Sequence, residues 1–232
     1  MTSNNHLERR YLALRQELQQ LCHEKGRPAV RLVAVSKYQP FPAIETLWAL
    51  GQRDFAESRL QEALPKIAAL PQACWHFIGT VQRNKGGAIA RHFNWVQSVT
   101  DIRTAEVLSA QRSPHQVPLQ VLIQVKLSGE PTKQGAAPEH VPALAQQVAT
   151  LPNLQLRGLM TMGRRHGDNA PLFLQLHAIQ GRLLDAGLAL DTLSMGMSGD
   201  YRQAIAAGAT MVRIGTALFG SRETHLTHDI AP

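Results

Sequence analysis

Arg31-Leu-Val-Ala-Val-Ser-Lys37 is a hydrophobic run, Leu32 to Val35, that ends in a serine and a lysine. Pro28 and Pro40 bound it. A continuous β-branched and aliphatic run of this kind predicts a strand buried on both faces, as parallel strands are. Lys37 then stands where the strand leaves the core. An amine held partly out of water at the mouth of an apolar barrel has a lowered pKa and attacks aldehydes readily. A lysine merely solvated at a strand end looks the same in this stretch, so the rest of the chain has to separate the two.

Outward from that strand, short apolar runs alternate with amphipathic stretches. Strands are predicted near 31–37, 54–58, 75–79, 94–99, 118–127, 155–162, 191–195 and 210–215. Helices are predicted near 41–50, 59–70, 82–92, 101–112, 138–151, 169–186 and 200–207. Thr100 or Asp101 offers an N-cap, Pro138 and Pro171 fall in first turns, and Gly51, Gly187 and Gly208 follow C-termini. Pro65 falls inside the second of these helices and is expected to kink or restart it. Before the first strand, Leu7, Tyr11, Leu14, Leu18 and Leu21 recur at spacings of four and three, one apolar stripe on a helix ended by Gly26 and Pro28. Strict alternation implies parallel strands, and eight of them suit a single (β/α)8 TIM-type barrel with an extra N-terminal helix. An open doubly wound sheet is the alternative.

With 232 residues and 44% hydrophobic content, one substantial core is expected, so residues 1–232 are read as one domain, 1–28 as its N-terminal helix and 221–232 as a polar tail. Met1 to Arg10 is polar, and no apolar run reaches the roughly 18 residues of a membrane span, so a cytoplasmic protein with neither signal peptide nor anchor is the expectation. Cys22 and Cys74 are far apart without metal-type spacing, which argues for reduced packing thiols and no metal site. The net charge of +7 comes from scattered basic residues with no stripe interleaved with aromatics. It suits an anionic small ligand better than nucleic acid. A closed barrel leaves no sheet edge to pair, and a monomer is expected.

In such barrels the site lies at the C-terminal ends of the strands, with phosphate often held after strands seven and eight. Strand seven runs into Ser194-Met-Gly-Met-Ser-Gly-Asp200, where small residues around Gly196 admit an anion and Ser198 offers a hydroxyl. An isolated segment of this composition is more often a flexible loop; Gly215 and Thr216, ending strand eight, add a second element at the same point. Arg213 shares a face with Met211 and Gly215, pointing into the barrel or the helix layer. Buried there, it needs an acceptor, whether a structural salt-bridge partner or a ligand. Glu57 or Ser58 reaches the rim after strand two, and Gln82, Asn84 and Lys85 follow strand three. His76 is a candidate contact or a satisfied core histidine, and Met160 is more often core than site.

Taken together, Ala34-Val-Ser-Lys37, Trp75-His-Phe-Ile-Gly79 with Gln82-Arg-Asn-Lys85, Val125-Lys-Leu-Ser-Gly-Glu-Pro-Thr-Lys133 with Gly135, Arg157-Gly-Leu-Met-Thr-Met162, Leu193-Ser-Met-Gly-Met-Ser198 and Met211-Val-Arg-Ile-Gly-Thr216 resemble the pyridoxal-phosphate homeostasis protein family, in order from the first strand to Gly220. The resemblance implies a barrel like the N-terminal domain of alanine racemase, with pyridoxal 5′-phosphate as a Schiff base on Lys37. It implies phosphate contacts from Ser198, Gly215 and Thr216 and an arginine, Arg213, facing the pyridine nitrogen. Ser58, His76, Met160 and Gly196 complete the candidate cofactor contacts, and no catalytic residue is assigned. The family is understood to bind and buffer the cofactor in vitamin B6 homeostasis, with apoenzymes as candidate recipients, and is not known for robust turnover. Two departures stand out: Ala56-Glu57-Ser58 where the family usually has Gly-Glu-Asn, and Thr80 where a histidine usually follows the glycine of strand three.

An arginine at the ring nitrogen cannot supply the proton shuttle that a carboxylate gives, which weakens the ring as an electron sink. Alanine racemases resemble this arrangement and still racemise, but they draw a second base from a β-domain that this chain lacks. Of Tyr11, Tyr38 and Tyr201, only Tyr38 lies beside the lysine in sequence. A non-catalytic cofactor carrier is therefore the leading expectation, followed by a low-activity amino-acid racemase and by an aldolase-type barrel that uses Lys37 without a cofactor.

Overall fold

The computed structural model describes residues 2–130 and 133–220. The polar tail expected at 221–232 lies outside the described residues, as do Pro131 and Thr132. Eight parallel strands close into a barrel in the order β1 to β8: β1 (Arg31–Val35), β2 (Asp54–Glu57), β3 (Cys74–Phe77), β4 (Trp95–Val99), β5 (Leu119–Gln124), β6 (Leu154–Met160), β7 (Thr192–Ser194) and β8 (Met211–Ile214). The ring closes where β1 pairs with β8, Val33 opposite Arg213. The expected barrel is what forms, and the open sheet is not.

Alternation sorts each strand into two faces. Leu32, Ala34, Phe55, Trp75, Phe77 and Val96 face outward and join the large core beneath the helices. Val33, Ala56, Trp95, Leu122, Met160 and Met211 face inward and fill the lumen as a separate apolar cluster. The barrel is thus a packed core whose upper end alone is open to chemistry.

Between the strands run α2 (Phe41–Ala49), α3 (Leu60–Ala69), α4 (Gly86–His92), α5 (Ile102–Gln111), α6 (Val141–Ala149), α7 (Ala170–Asp185) and α8 (Tyr201–Ala206). Of the two cap candidates before α5, Asp101 is the one that acts, accepting from Thr104 N at 2.8 Å. Gly51, Gly187 and Gly208 take positive φ just past helix ends, as expected. Pro65 does not break its helix: α3 runs through it, because burial of Ala63 and Ile67 on the core side outweighs the one hydrogen bond that proline cannot donate. β1 and β5 stop short of their predicted C-terminal limits at 37 and 127, because the chain turns out at the barrel rim.

The N-terminal helix α1 (Thr2–Glu24) buries Leu7, Tyr11, Leu14 and Leu18 against the barrel, the predicted stripe. A last helix, α9 (Thr216–Phe219), follows β8 directly and was not foreseen, since four residues are too few to show a period. Arg10 of α1 donates to the carbonyls of Leu218 and Phe219, both at 3.0 Å, satisfying the end of α9. Among the described residues, no helix is long and apolar enough to cross a membrane.

Candidate functional site at the C-terminal mouth of the barrel

Lys37 is half-buried one residue beyond the end of β1's last buried neighbour, Ser36. Ser36, the residue before it, is clamped from three sides. Ser36 N donates to Ala56 O at 3.0 Å, the Ser36 hydroxyl donates to Glu57 Oε1 at 2.7 Å, and Lys66 Nζ donates to Ser36 O at 2.9 Å. Lys66 also meets Glu57 Oε1 at 2.8 Å, while Glu57 Oε2 is buried without a partner among the described residues. Burial pushes the Glu57 carboxyl above its ordinary value, and the hydrogen bonds from Lys66 and Ser36 pull it back. Beyond Lys37, Tyr38 takes the left-handed conformation, φ 64°, held by its N–H donating to Glu62 Oε2 at 3.2 Å. This strained turn costs about 1 kcal/mol and is over-determined by its neighbours.

Beside the strand that leads to Lys37, the loops after β7 and β8 meet. Gly196 (φ 93°) brings the chain so close to α8 that a Cβ there would lie 2.6 Å from the Ala204 methyl. Asp200 Oδ1 accepts from Met197 N at 2.6 Å and Asp200 Oδ2 from Asn169 at 2.8 Å, which freezes the turn carrying Ser198. Ser198 Oγ accepts from Ala217 N at 3.1 Å, joining this loop to the first turn of α9, where Gly215 is the N-cap. Ser198 is thereby held against the turn that carries Gly215 and Thr216. Gly215 stands beside Val35, two residues before Lys37.

Arg213 points into the lumen, not into the helix layer. It is 4% exposed, and its guanidinium donates to Ser194 Oγ at 2.7 Å and to Thr161 O at 2.9 Å. Burial lowers its pKa to about 10, so it remains a cation at neutral pH. Among the described residues it forms no ion pair; its partners are a neutral hydroxyl and a carbonyl, and three of its five N–H donors stay uncommitted to them.

The remaining candidates fall into place around these. Met160 is a lumen residue packed with Val33, Trp95 and Met211 below the mouth. Ser58 is half-buried at the rim, its carbonyl so close to Gly79 that a Cβ on that glycine would lie 2.1 Å away. His76 is fully buried and bonded on both ring nitrogens, to Asp54 Oδ1 at 2.9 Å and to Gln97 Nε2 at 2.9 Å, with its ring stacked on Trp95. It is the satisfied interior histidine of the two readings. Gln97 and Ser194 were missed, although a glutamine two residues after the inward-facing Trp95 was a readable signal of a polar lumen.

Asp54, Cys74 and His76 bring three metal-ligating atoms within 4.8 Å of one another. Arg31 already sits there, 2.5 Å from Asp54 and 3.5 Å from Cys74 Sγ, and a divalent ion would have to displace its charge. Burial drives the Cys74 thiol up to about 12, so it offers no thiolate. A cleft of about 700 Å³ opens beside the β3, β4 and β5 loops, with Arg83, Arg103, Lys126 and Lys133 on its walls.

A family model described as alanine racemase, N-terminal domain, matches residues 11–223. The pyridoxal phosphate homeostasis protein of Pseudomonas aeruginosa is 51% identical over 196 residues, 84% of this chain and 85% of that protein. Its counterpart in Vibrio cholerae is 45% identical over 88% of this chain and 90% of its own length. The chain belongs to the pyridoxal phosphate homeostasis protein family. Among solved structures, PipY of Synechococcus elongatus PCC7942 with PLP bound is similar at a TM-score of 0.81 and 35% identity, covering 92% of this chain and 100% of that one. An alanine racemase of Clostridium difficile reaches a TM-score of 0.72 at 13% identity, over 89% of this chain and 59% of that one, a likeness of fold alone.

Of the chain's two departures from the usual family pattern, Thr80 has a visible function. Its hydroxyl donates to Gln134 Oε1 at 3.0 Å and ties the loop after β3 to the loop after β5. Ser58 shortens the reach of the rim after β2 and leaves the Glu57, Ser36 and Lys66 clamp below it complete.

Proposed function

We propose that this chain binds pyridoxal 5′-phosphate as a Schiff base on Lys37 and serves as a cytoplasmic reserve of the cofactor in vitamin B6 homeostasis, without robust catalysis of its own. The observation that carries this reading is Arg213. A buried guanidinium hydrogen-bonded to a hydroxyl and a carbonyl, with donors left over at the mouth of the lumen, calls for a further acceptor. An unprotonated pyridine nitrogen is such an acceptor, since it offers a lone pair and no proton to oppose the guanidinium.

On this reading Lys37 Nζ would hold the cofactor through its aldehyde carbon, with water as the leaving group, and Ser198 Oγ with the backbone of Gly196, Gly215 and Thr216 would receive the phosphate. Arg213 donates to the ring nitrogen and holds it unprotonated. Met160 forms the floor, Ser58 the rim, and His76 acts from beneath. When bound, the group supplies an electrophilic carbon and an electron-accepting ring, and an arginine partner weakens that ring as a sink. The tyrosines support restraint as well. Tyr11 is buried beneath α1, Tyr201 donates its hydroxyl to Glu17 at 2.6 Å, and Tyr38 is 45% exposed with Arg59 over its ring at 5.0 Å. The Tyr201 hydroxyl is thereby committed to α1, and Tyr38 remains the tyrosine beside Lys37 in the chain.

The test is a visible spectrum of the purified chain with added cofactor, before and after borohydride, followed by mass analysis of the labelled peptide. Label on Lys37, lost in Lys37→Ala, is the expected result; label elsewhere or none overturns it. Steady inversion of an L-amino acid that vanishes in Lys37→Ala would replace the reserve with a racemase.

A further inference from the structure

The lumen holds a string of polar side chains that neither the phosphate loops nor the lysine clamp requires. Arg213 donates to Ser194 Oγ at 2.7 Å, Ser194 Oγ lies 2.6 Å from Gln97 Oε1, Gln97 Nε2 lies 2.9 Å from His76 Nδ1, and His76 Nε2 lies 2.9 Å from Asp54 Oδ1. Arg31 closes the far end on Asp54 at 2.5 Å. Gln97, His76 and Ser194 are fully buried, so water does not substitute for any of these bonds.

The protons in this string have only one arrangement. Arginine has no acceptor, so Ser194 Oγ must accept from Arg213 and spend its single proton on Gln97 Oε1. That fixes the amide, whose Nε2 then donates to His76 Nδ1. Nδ1 is therefore bare, the imidazole proton sits on Nε2, and it is donated to the Asp54 carboxylate. The four bonds from Arg213 to Asp54 are thus all donated in one direction, while Arg31 donates to Asp54 from the other end, the second N–H of Gln97 Nε2 meets Met211 Sδ at 3.2 Å, and Cys74 Sγ lies 3.6 Å from His76 Nε2. Flipping Gln97 would aim two donors at Ser194 Oγ and leave the serine proton without an acceptor.

We propose that Gln97, held by His76, is a positioning residue for Arg213. By accepting the Ser194 proton it turns a lone pair, and not a hydrogen, toward the guanidinium, and so fixes where the remaining donors of Arg213 point at the barrel mouth. The two groups never touch; the effect passes through one hydroxyl. The use made of Arg213 rests on the cofactor site proposed above, whereas the proton arrangement does not, so the two stand or fall on different measurements.

The arrangement is read by 15N NMR of the histidine and arginine side chains in the full chain, before and after addition of pyridoxal phosphate. The wild-type chain is expected to show His76 as the neutral Nε2–H form, with no titration across the ordinary histidine range. Gln97→Glu, which is isosteric, is expected to convert it to the doubly protonated form between two carboxylates. Gln97→Met is expected to speed exchange of the Arg213 guanidinium protons by about tenfold, the equivalent of one lost buried hydrogen bond. Ser194→Ala is expected to do the same. With cofactor bound, the pH profile of the visible band is expected to shift in Gln97→Glu relative to wild type. An Nδ1–H or normally titrating His76, unchanged Arg213 exchange in Gln97→Met despite a lowered melting temperature, or a wild-type visible pH profile in Gln97→Glu would each overturn the proposal. Should Gln97→Met not fold, Gln97→Glu and Ser194→Ala carry the same readouts. Absence of borohydride label on Lys37, with the NMR results as expected, would sink the cofactor reading and leave the proton string standing.

Discussion

Lys66 is the residue on which the setting of Lys37 depends, since among the described residues its ammonium is the one cation in contact with the buried Glu57 carboxylate, and it also holds the Ser36 carbonyl. Lys66→Met would strand that carboxylate without compensation, and a loss of about 3–5 kcal/mol is expected in urea denaturation. Glu57→Gln combined with Lys66→Met should recover a large part, because no unpaired charge then stays buried. His76 makes a second prediction. Burial holds it below its ordinary value of 6.5, with the Asp54 carboxylate opposing. The unfolded chain takes up a proton at that value and the folded chain does not. Stability is therefore full above about pH 6.5 and falls as the pH drops below it, by up to about 1.4 kcal/mol per unit. Asp54 adds a later loss. Burial works against ionisation there, but hydrogen bonds from His76 and Arg31 hold it at about 2 against an ordinary 3.8, so its contribution is complete above 3.8 and disappears as the pH falls through 2. Denaturation midpoints at several pH values should decline more gently between about pH 6.5 and 5 in His76→Gln than in wild type; equal slopes would refute the assignment. Lys37 and Arg213 were legible at this scale because the first ends an apolar run and the second interrupts one, whereas Lys66 reads as an ordinary helix cation and only its contact with Glu57 shows otherwise.

Among the elements, β6 has the least tolerance. Gly158 pairs with Thr192 of β7 at φ 151°, and a Cβ on it would lie 1.9 Å from the Thr192 carbonyl. The ladder of β5 on β6 also shifts register next to it, between Val121 and Leu122. Gly158→Ala is expected to lower the melting temperature by about 10 °C or abolish soluble protein, through backbone that cannot give way. A variant melting within a few degrees of wild type would show that β7 relaxes. Elements with long periods or strong punctuation were legible: the stripe of α1, the glycines after α2, α7 and α8, and the cap on α5. The through-running α3 was not, because the penalty of Pro65 is local while its compensation, burial of Ala63 and Ile67, is tertiary.

On the scale of the molecule, α1 acts as a brace, touching α2, α8 and α9 and so spanning the seam where β8 returns to β1. Leu7, Tyr11, Leu14, Leu18 and Cys22 are buried on it, and at about 1.5–3 kcal/mol for each large side chain their loss rivals the 5–15 kcal/mol that stabilises a typical domain. A chain lacking residues 1–24 is expected to be insoluble or unfolded by circular dichroism; a folded, cofactor-binding truncation would show that the brace is dispensable. With the sheet closed on itself no edge is left to recruit another copy, and sedimentation at micromolar concentration is expected to report a monomer.

What the sequence by itself determined is the alternation of strand and helix, the barrel that alternation implies, the lysine after the first strand and the two loops that follow the last two strands. These are properties of local period and of single residues out of keeping with their surroundings, and a chain carries them before it folds. What only the tertiary structure decided is which polar groups meet inside. Gln97 and Ser194 lie 97 residues apart in sequence and 2.6 Å apart in the lumen. Their meeting depends on the register of strands that are not neighbours, set by closing the whole ring at once. The direction of every proton from Arg213 to Asp54 follows from that closure.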